Sequence, residues 1–462
     1  MVRQPTTRLE SSARRFHARR MMHALVRRDV AMHDDPLRAQ SVSLAVGGVL
    51  AALAIVAGAV AAVVSPRGVP SSAPIVIGRE SGALYVRLGD TLHPVLNLAS
   101  ARLVARVAAN PVPAGDASIA RAKRGPLMGI PGAPATMGTP LRGQSWTVCD
   151  DDRTVVAVGD ADPHELSDVR PVLVTPRGES AAASYLLYDG QRAAVDLRNH
   201  AVVRALRLDG VEPVPVSRAL LGLVPEVPAI VAPRIAGFGE PGPPALGAVT
   251  IGTVVQVRRA DVADHYVVLR DGVQSIGDVL ADLIRFTYDG RARRVAEIAP
   301  AAIAAVPIVS SLPGSTLPQH ARSPAGAAEH PTVCARWRPR GSVAPSSNTV
   351  VLVGERPFRE ASHLAQADGA GPNVDAVLMP GGASAYVGSA RIVGDDGRTG
   401  PRFLVTDAGV AFGVHDDEAA VSLGLGQIPE PAPWPILAHL PHGPELSTAA
   451  ASVARDGLPT PS

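Results

Sequence analysis

Lysine is almost missing from this chain of 462 residues. Of its 44 basic side chains only Lys123 is a lysine, and Arg124 follows it. A phosphate-cradling P-loop needs glycine-rich backbone amides and a Lys followed by Ser or Thr, so that motif is excluded. Aromatic residues make up only 3%, too few for a base-stacking platform or a glycan-binding wall module. A net charge of +2 supplies no overall field for nucleic acid. Neither a G-x-S-x-G nucleophile elbow nor an H-E-x-x-H zinc pair occurs. No catalytic, cofactor-binding or metal residue is assigned. Ser384, in Pro380-Gly-Gly-Ala-Ser-Ala-Tyr386, reads as part of a turn between strands. His415-Asp416-Asp417-Glu418 reads as a solvated helix start, since acidic residues suit the first turn.

Charge is also missing from residues 42–64, a predominantly apolar run without proline. As a helix this run reaches about 35 Å, enough for a hydrocarbon core of about 30 Å. Forty-one residues precede it, too many for an ordinary cleaved signal peptide, so an uncleaved anchor is expected. Residues 1–40 hold nine Arg against four acidic residues, while the rest of the chain is slightly acidic. The positive-inside rule places the amino terminus in the cytoplasm and some 400 residues outside a plasma membrane crossed once. Thr7-Arg8-Leu9-Glu10 has the form of a capping box, and Pro36 is expected to end the helix it starts. Arg14, Arg15, Phe16, Arg19, Arg20, Arg27 and Arg28 are the candidate docking residues of this tail. Composition leaves two readings open, a helix lying on anionic lipid and a docking helix for a cytoplasmic partner.

The two cysteines, Cys149 and Cys334, both fall in the exterior part. Exported cysteines usually pair; the alternative is two unrelated buried thiols. Their flanks mirror each other, Trp146-x-x-Cys149 and Cys334-x-x-Trp337, so a disulfide packed between indoles is expected. Closing a loop of about 185 residues would stabilise the fold by roughly 5 kcal/mol in the chain-entropy model.

Four exterior segments share an apolar β-prone run, an Asp beside or near Gly, and a second short run, with turn residues Asp90, Asp189, Asp271 and Asp407. This is hairpin chemistry. Helix-like stretches follow, including 97–104 and 193–203, and Pro-x-Pro recurs at 111–113, 213–215 and 431–433; the third copy has only Pro300. The expected fold is α+β and β-rich. A single amino-terminal transmembrane helix leads to an elongated periplasmic domain of four small β-β-α repeats around a disulfide-linked central β-rich domain. The boundaries read as a cytoplasmic basic amphipathic helix over 1–40, the membrane helix over 41–64 and a linker over 65–74. Repeats occupy 75–125, 183–240, 262–312 and 401–450. The central domain is built from 126–182, 241–261 and 313–400, with a tail at 451–462.

Certain strings resemble a known family. They are Thr6-Thr-Arg-Leu-Glu10, Arg20-Met-Met-His-Ala-Leu-Val-Arg-Arg-Asp29, His33-Asp-Asp-Pro-Leu-Arg38 and the span after them. Leu92-His-Pro-Val-Leu-Asn-Leu-Ala-Ser-Ala-Arg102, Trp146-Thr-Val-Cys149 and Leu423-Gly-Leu-Gly426 continue the match, as does Leu437-x-x-Leu440-Pro-x-Gly-Pro444. Together they resemble EccB, a core membrane component of the type VII (ESX) secretion system of mycobacteria and related actinobacteria. The resemblance implies a structural subunit of an inner-membrane complex. EccC, EccD and EccE would be its partners, with a mycosin protease nearby and self-association of the periplasmic part. Members of the family are often labelled ATPases. An ATP-binding or ATP-hydrolysing role is therefore the alternative, through a non-P-loop site in which Arg holds the phosphates.

Overall fold

In a computed structural model the described residues are 8–28, 36–64, 72–143, 145–159, 170–178, 183–259, 262–288, 295–314, 316–328, 332–339, 349–354, 358, 361–392 and 400–456. The chain forms two units, residues 1–71 and 72–462. In the first, helix α1 (Arg8–Arg27) precedes helix α2 (Pro36–Val64). Thr7, Asp29 and His33 lie outside the described residues. Pro36 does not end a helix, as the sequence reading expects; it opens one, where its missing N–H costs nothing. Within α2, Gln40–Val60 is long and apolar enough to cross a membrane, with none of it buried in protein.

Among the described residues the second unit contains five sheets. Four are versions of one arrangement in which the hairpin of the sequence reading is framed by further strands. In the first repeat Leu84–Leu88 and Thr91–Val95 form the hairpin, and Ile75–Gly78 pairs antiparallel with its first strand. Helix α3 (Leu98–Ala105) follows, capped by the Asn97 side chain. Val112–Ala114 then lies parallel to the initial strand. After helix α4 (Asp116–Arg121) the chain returns to the far edge, where Lys123–Arg124 runs parallel to Thr91–Val95. The Pro-x-Pro motif thus marks an edge strand, where a missing N–H donor is tolerated.

The second repeat runs through Val172–Pro176, Ser184–Tyr188, Gln191–Val195, helix α5 (His200–Ala205), Val214–Val216 and helix α6 (Arg218–Leu223). Its stretch 193–203 is not all helix. Residues up to Val195 stay in the strand, and Asn199 caps the helix four residues later. Asp189 and Gly190 both have positive φ, the tight hairpin turn that Asp-Gly favours. The third repeat uses Val254–Arg259, Val262–Leu269, Gly272–Ile276, helix α7 (Asp278–Tyr288), Ala296–Glu297 and helix α8 (Pro300–Ala304). Its lone Pro300 is the first residue of α8. The fourth uses Ala383–Ala390, Arg402–Thr406, Ala411–Val414, helix α9 (Asp417–Leu423), Glu430–Pro433, helix α10 (Trp434–Leu437) and His442–Leu446. Ser384 therefore sits in a strand; the turn is Gly381-Gly382 just before it. The pairing draws Val172–Pro176, Val254–Arg259 and Ala383–Ala390 into repeat sheets, from stretches that the sequence reading counts largely with the central domain. Helix α11 (Thr448–Ala451) packs on α3, and Ala454–Arg455 adds to the first repeat's sheet.

The fifth sheet is the central one. Its six strands run in the order Thr349–Gly354, Thr332–Trp337, Trp146–Asp150, Thr154–Val158, Ala376–Leu378 and Ser362–His363.

Candidate functional site: a braced sheet, repeat junctions and a basic helix

The disulfide Cys149–Cys334 joins adjacent antiparallel strands of the central sheet, with Cα atoms 4.1 Å apart. Trp146 faces Trp337 in the same register, so the mirrored flanks are the signature of one antiparallel pairing. The disulfide is not packed between the indoles. A spacing of three puts Trp and Cys on opposite faces of a strand. Trp146 and Trp337 enter the large core with Val148, Val333 and Ala335, while the cysteines pack with Val155, Ala157, Phe358 and Ala376.

A polar knot fixes the second repeat to this sheet. Buried Asp150 accepts hydrogen bonds from the Thr154 hydroxyl and the Ser217 N–H, both at 2.6 Å. Ser217 in turn caps α6, its Oγ accepting from Leu220 N at 3.2 Å. The guanidinium of buried Arg177 donates to Thr154 Oγ1 at 3.2 Å and to the carbonyl of Asp151 at 3.1 Å. Asp375 accepts from the N–H groups of Thr154, Asp368 and Gly369. Burial pushes the Asp150 carboxyl above its usual range, against the downward pull of the Thr154 and Ser217 hydrogen bonds and the Arg177 charge. Sequence reading missed Arg177, Thr154 and Asp375. Their only trace is local, a charged residue beside the turn glycine in Pro176-Arg177-Gly178.

Like helices join the repeats. α3 and α9 share a core through Leu103, Val104, Ala420 and Leu423, and Arg102 donates to the carbonyl of Leu423 at 2.7 Å. α5 and α7 do the same through Val202, Ala205, Val279 and Leu283. α6 meets α10 through Leu220, Leu223, Ile436 and Leu437, close enough that a Cβ on Gly222 would sit 2.8 Å from Pro435 Cβ. The order of contact is therefore third repeat, second, fourth, first. Residues 308–314 and 316–325 strap the second and third repeats together. The Tyr188 hydroxyl, pushed up to about 12 chiefly by burial, donates to Thr316 O at 2.6 Å. Gln274 accepts from the N–H groups of Ser311 and Leu312. His265 and His320 each place Nδ1 on one oxygen of Asp278, at 3.1 and 2.9 Å.

The sequence-predicted tail residues lie on or beside α1. Arg14, Arg15, Phe16, Arg19 and Arg20 are exposed along it, Arg27 is its last residue, and exposed Arg28 follows with positive φ. In the fourth repeat a cleft of about 630 Å3 is lined by Arg402, His415, Asp416, Asp417, His442 and Glu445 among others. Its charges are of both signs. A hydrogen bond to Glu445, together with that carboxylate's charge, raises the His415 imidazole above its ordinary value. Asp416 is the N-cap of α9, accepting from Ala419 N at 2.7 Å. Among the described residues no group of three or more His, Cys, Asp or Glu is arranged to hold a metal. Lys123 and Arg124 sit on an edge strand of the first repeat.

A family model described as "Type VII secretion system ESX-1, transport TM domain B" matches residues 3–460. The chain belongs to the EccB family. It is 34% identical to the ESX-3 secretion system ATPase EccB3 of Mycolicibacterium smegmatis, covering 98% of this chain and 92% of that protein. It is 33% identical to the ESX-5 secretion system ATPase EccB5 of Mycobacterium tuberculosis, covering 98% and 94%. An EccB chain in an intact ESX-5 inner membrane complex superposes with a TM-score of 0.72 at 32% identity, over 100% of this chain and 98% of that one. A dimer of EccB3 from an ESX-3 core complex gives 0.71 at 34% identity, over 82% and 100%. The EccB fold thus accounts for the mixed, β-rich architecture, the amino-terminal apolar helix and the disulfide together.

Proposed function

We propose that this chain is a structural and assembly subunit of a type VII secretion membrane complex. α2 anchors it, the basic α1 docks on cytoplasmic and membrane components, and the second unit scaffolds the periplasmic side. EccC, EccD and EccE are the partners this reading names, with a mycosin protease close by and a second copy bound through the periplasmic part. The observation that carries the reading is the joining of four modules by like helices into one body, in a chain that also carries an apolar helix long enough to cross a membrane. Such a body offers extended surfaces to neighbours and leaves its first helices as internal joints. The charge asymmetry between residues 1–40 and the remainder supports an amino terminus inside and a large domain outside.

Affinity purification of the complex with and without residues 1–40 tests the docking role. Loss of co-purifying membrane components is expected, with α2 and the exterior still inserted. Unchanged assembly and secretion would remove that role. The printed names of the relatives contain the word ATPase, and ATP binding at an Arg-lined site is the alternative. Titration of the purified full chain with ATP separates the two. Saturable binding at a defined stoichiometry, followed by hydrolysis, would favour the alternative.

A further inference from the structure

The charge of the second unit is unevenly placed. Residues 72–130, which comprise the first repeat, carry seven basic side chains against three acidic ones. Residues 131–462 carry 27 basic against 35 acidic. The basic excess gathers at one end of the first repeat's sheet. Arg121, Lys123 and Arg124 are all exposed within four residues. Register then fixes where they sit. Arg87 donates its backbone N–H to Pro74 O at 2.9 Å and pairs with Leu92, which pairs with Arg124. These residues form one row across the sheet, starting where the chain enters the unit. Three strand spacings of about 4.8 Å separate that entry from Arg124. The same end carries the hairpin tip, where Leu88 is 40% exposed. Asp90, at this tip, is the one acidic residue there. Arg124 is braced rather than loose, its guanidinium stacked over the Tyr85 ring and donating to the Tyr85 hydroxyl at 3.2 Å.

Ten residues separate Val64, the end of the apolar helix, from Ile75. A chain of that length reaches at most about 35 Å. The basic end of the first repeat is thus tethered near whichever leaflet α2 emerges from. The acidic remainder is repelled by an anionic surface over the same Debye length of about 10 Å. We infer that Arg87, Arg121, Lys123 and Arg124, with Leu88 between them, form a docking surface for anionic phospholipid headgroups. This surface seats the first repeat on the membrane and sets which end of the second unit faces it. Basic residues supply the attraction, and the apolar tip enters the interfacial zone as such residues do in surface-bound elements. The inference holds whichever side of the membrane the second unit occupies.

Lys123 makes the test specific, because the chain has no other lysine amine. The full chain is inserted into vesicles of phosphatidylcholine, or of phosphatidylcholine with phosphatidylglycerol. A membrane-impermeant acylating reagent is added, and the modification of Lys123 is read by peptide mass spectrometry. In phosphatidylglycerol vesicles the acylation of Lys123 should slow by about fivefold or more, the factor that one basic residue near such a surface contributes. Half-molar salt should abolish the slowing, and R121Q/R124Q should reduce it. The salt and lipid arms use the unaltered protein, so they stand even if that variant folds poorly. Equal rates in the two lipids would overturn the inference. So would slowing in phosphatidylcholine alone, which would assign the shielding to a second copy.

Discussion

Two kinds of second helix occupy the same place in the repeats, and they behave differently. α6 and α10 meet and bury Leu220, Leu221, Leu223, Ile436 and Leu437 in the largest core of the molecule. α4 and α8 bury only Ile119 and Ile303 and expose Ala117, Ala120 and Arg121, or Ala301 and Ala304. Among the described elements neither packs on another repeat's second helix. The backbone plan is shared, so side chains decide whether a junction forms. Each buried Leu or Ile contributes about 1.5–3 kcal/mol relative to exposure, and Ala contributes far less. A side-chain cap does not by itself divide the two kinds: α6 has a Ser217 cap fixed by buried Asp150, whereas α4, α8 and α10 begin after Gly115, Ala299 and Pro433 without one. The two outer repeats thus terminate the array in the way that capping repeats with a less apolar outer face terminate solenoids.

Breaking the floor of the joined pair should have the largest effect. α6 packs on the two strands that the disulfide links. C149S/C334S opens a loop of 185 residues and should cost roughly 5 kcal/mol, read by denaturant unfolding of the full chain with and without reductant. Hydrogen exchange should rise more in the second and third repeats, which lie inside that loop, than in the first and fourth. Equal change in all four would show that the junctions do not depend on the central sheet.

D150A comes next. It strands the Ser217 N–H and the Thr154 hydroxyl in the interior and removes the acidic neighbour of the Arg177 charge, and each buried donor left unsatisfied costs about 1–3 kcal/mol. The pH dependence has a definite sign. The folded Asp150 pKa is raised, so the folded state holds the proton more tightly than the unfolded chain. That stabilisation is complete below the ordinary carboxylate value of 3.8 and is lost as pH rises through the folded value. Unfolding measured from pH 3.5 upward should show the wild type losing stability relative to D150N. A parallel pair of curves would mean that Asp150 titrates alike folded and unfolded. L220A, which makes α6 resemble a free helix, should cost about 2–5 kcal/mol. Combined with L437A the loss should fall short of the sum, since residues in contact couple.

Legibility follows the range of each signal. Hairpin turns and the apolar span are local, and Asp-Gly and a charge-free run display them directly. The pairing of Cys149 with Cys334 was readable because one antiparallel register writes itself twice in the sequence. Which face each side chain takes follows from the spacing of three, which puts Trp and Cys on opposite sides of the pleat. The outer strands were harder. Val112–Ala114 and Val214–Val216 have three residues each and contain proline, and only their parallel neighbours make them strands. The Arg177 knot was invisible because its partners come from segments up to about 200 residues apart, brought together by the fold alone.

The smallest expected effect is on the free helices, and it separates side-chain content from position. A120L and A304L restore leucine to exposed faces of α4 and α8. Both positions are exposed among the described residues, so unfolding stability should move by no more than about 0.5 kcal/mol. Association should respond instead, because a new apolar face on a repeat end is complementary to the corresponding face of another copy. Sedimentation of the double variant in detergent should reveal species larger than those of the wild type. If the species are unchanged while L220A still loosens the inner junction, then the capped start of α6, and not its leucines alone, makes that junction possible. Moving the cap would then be the decisive change: G115S with A120L should associate where A120L does not.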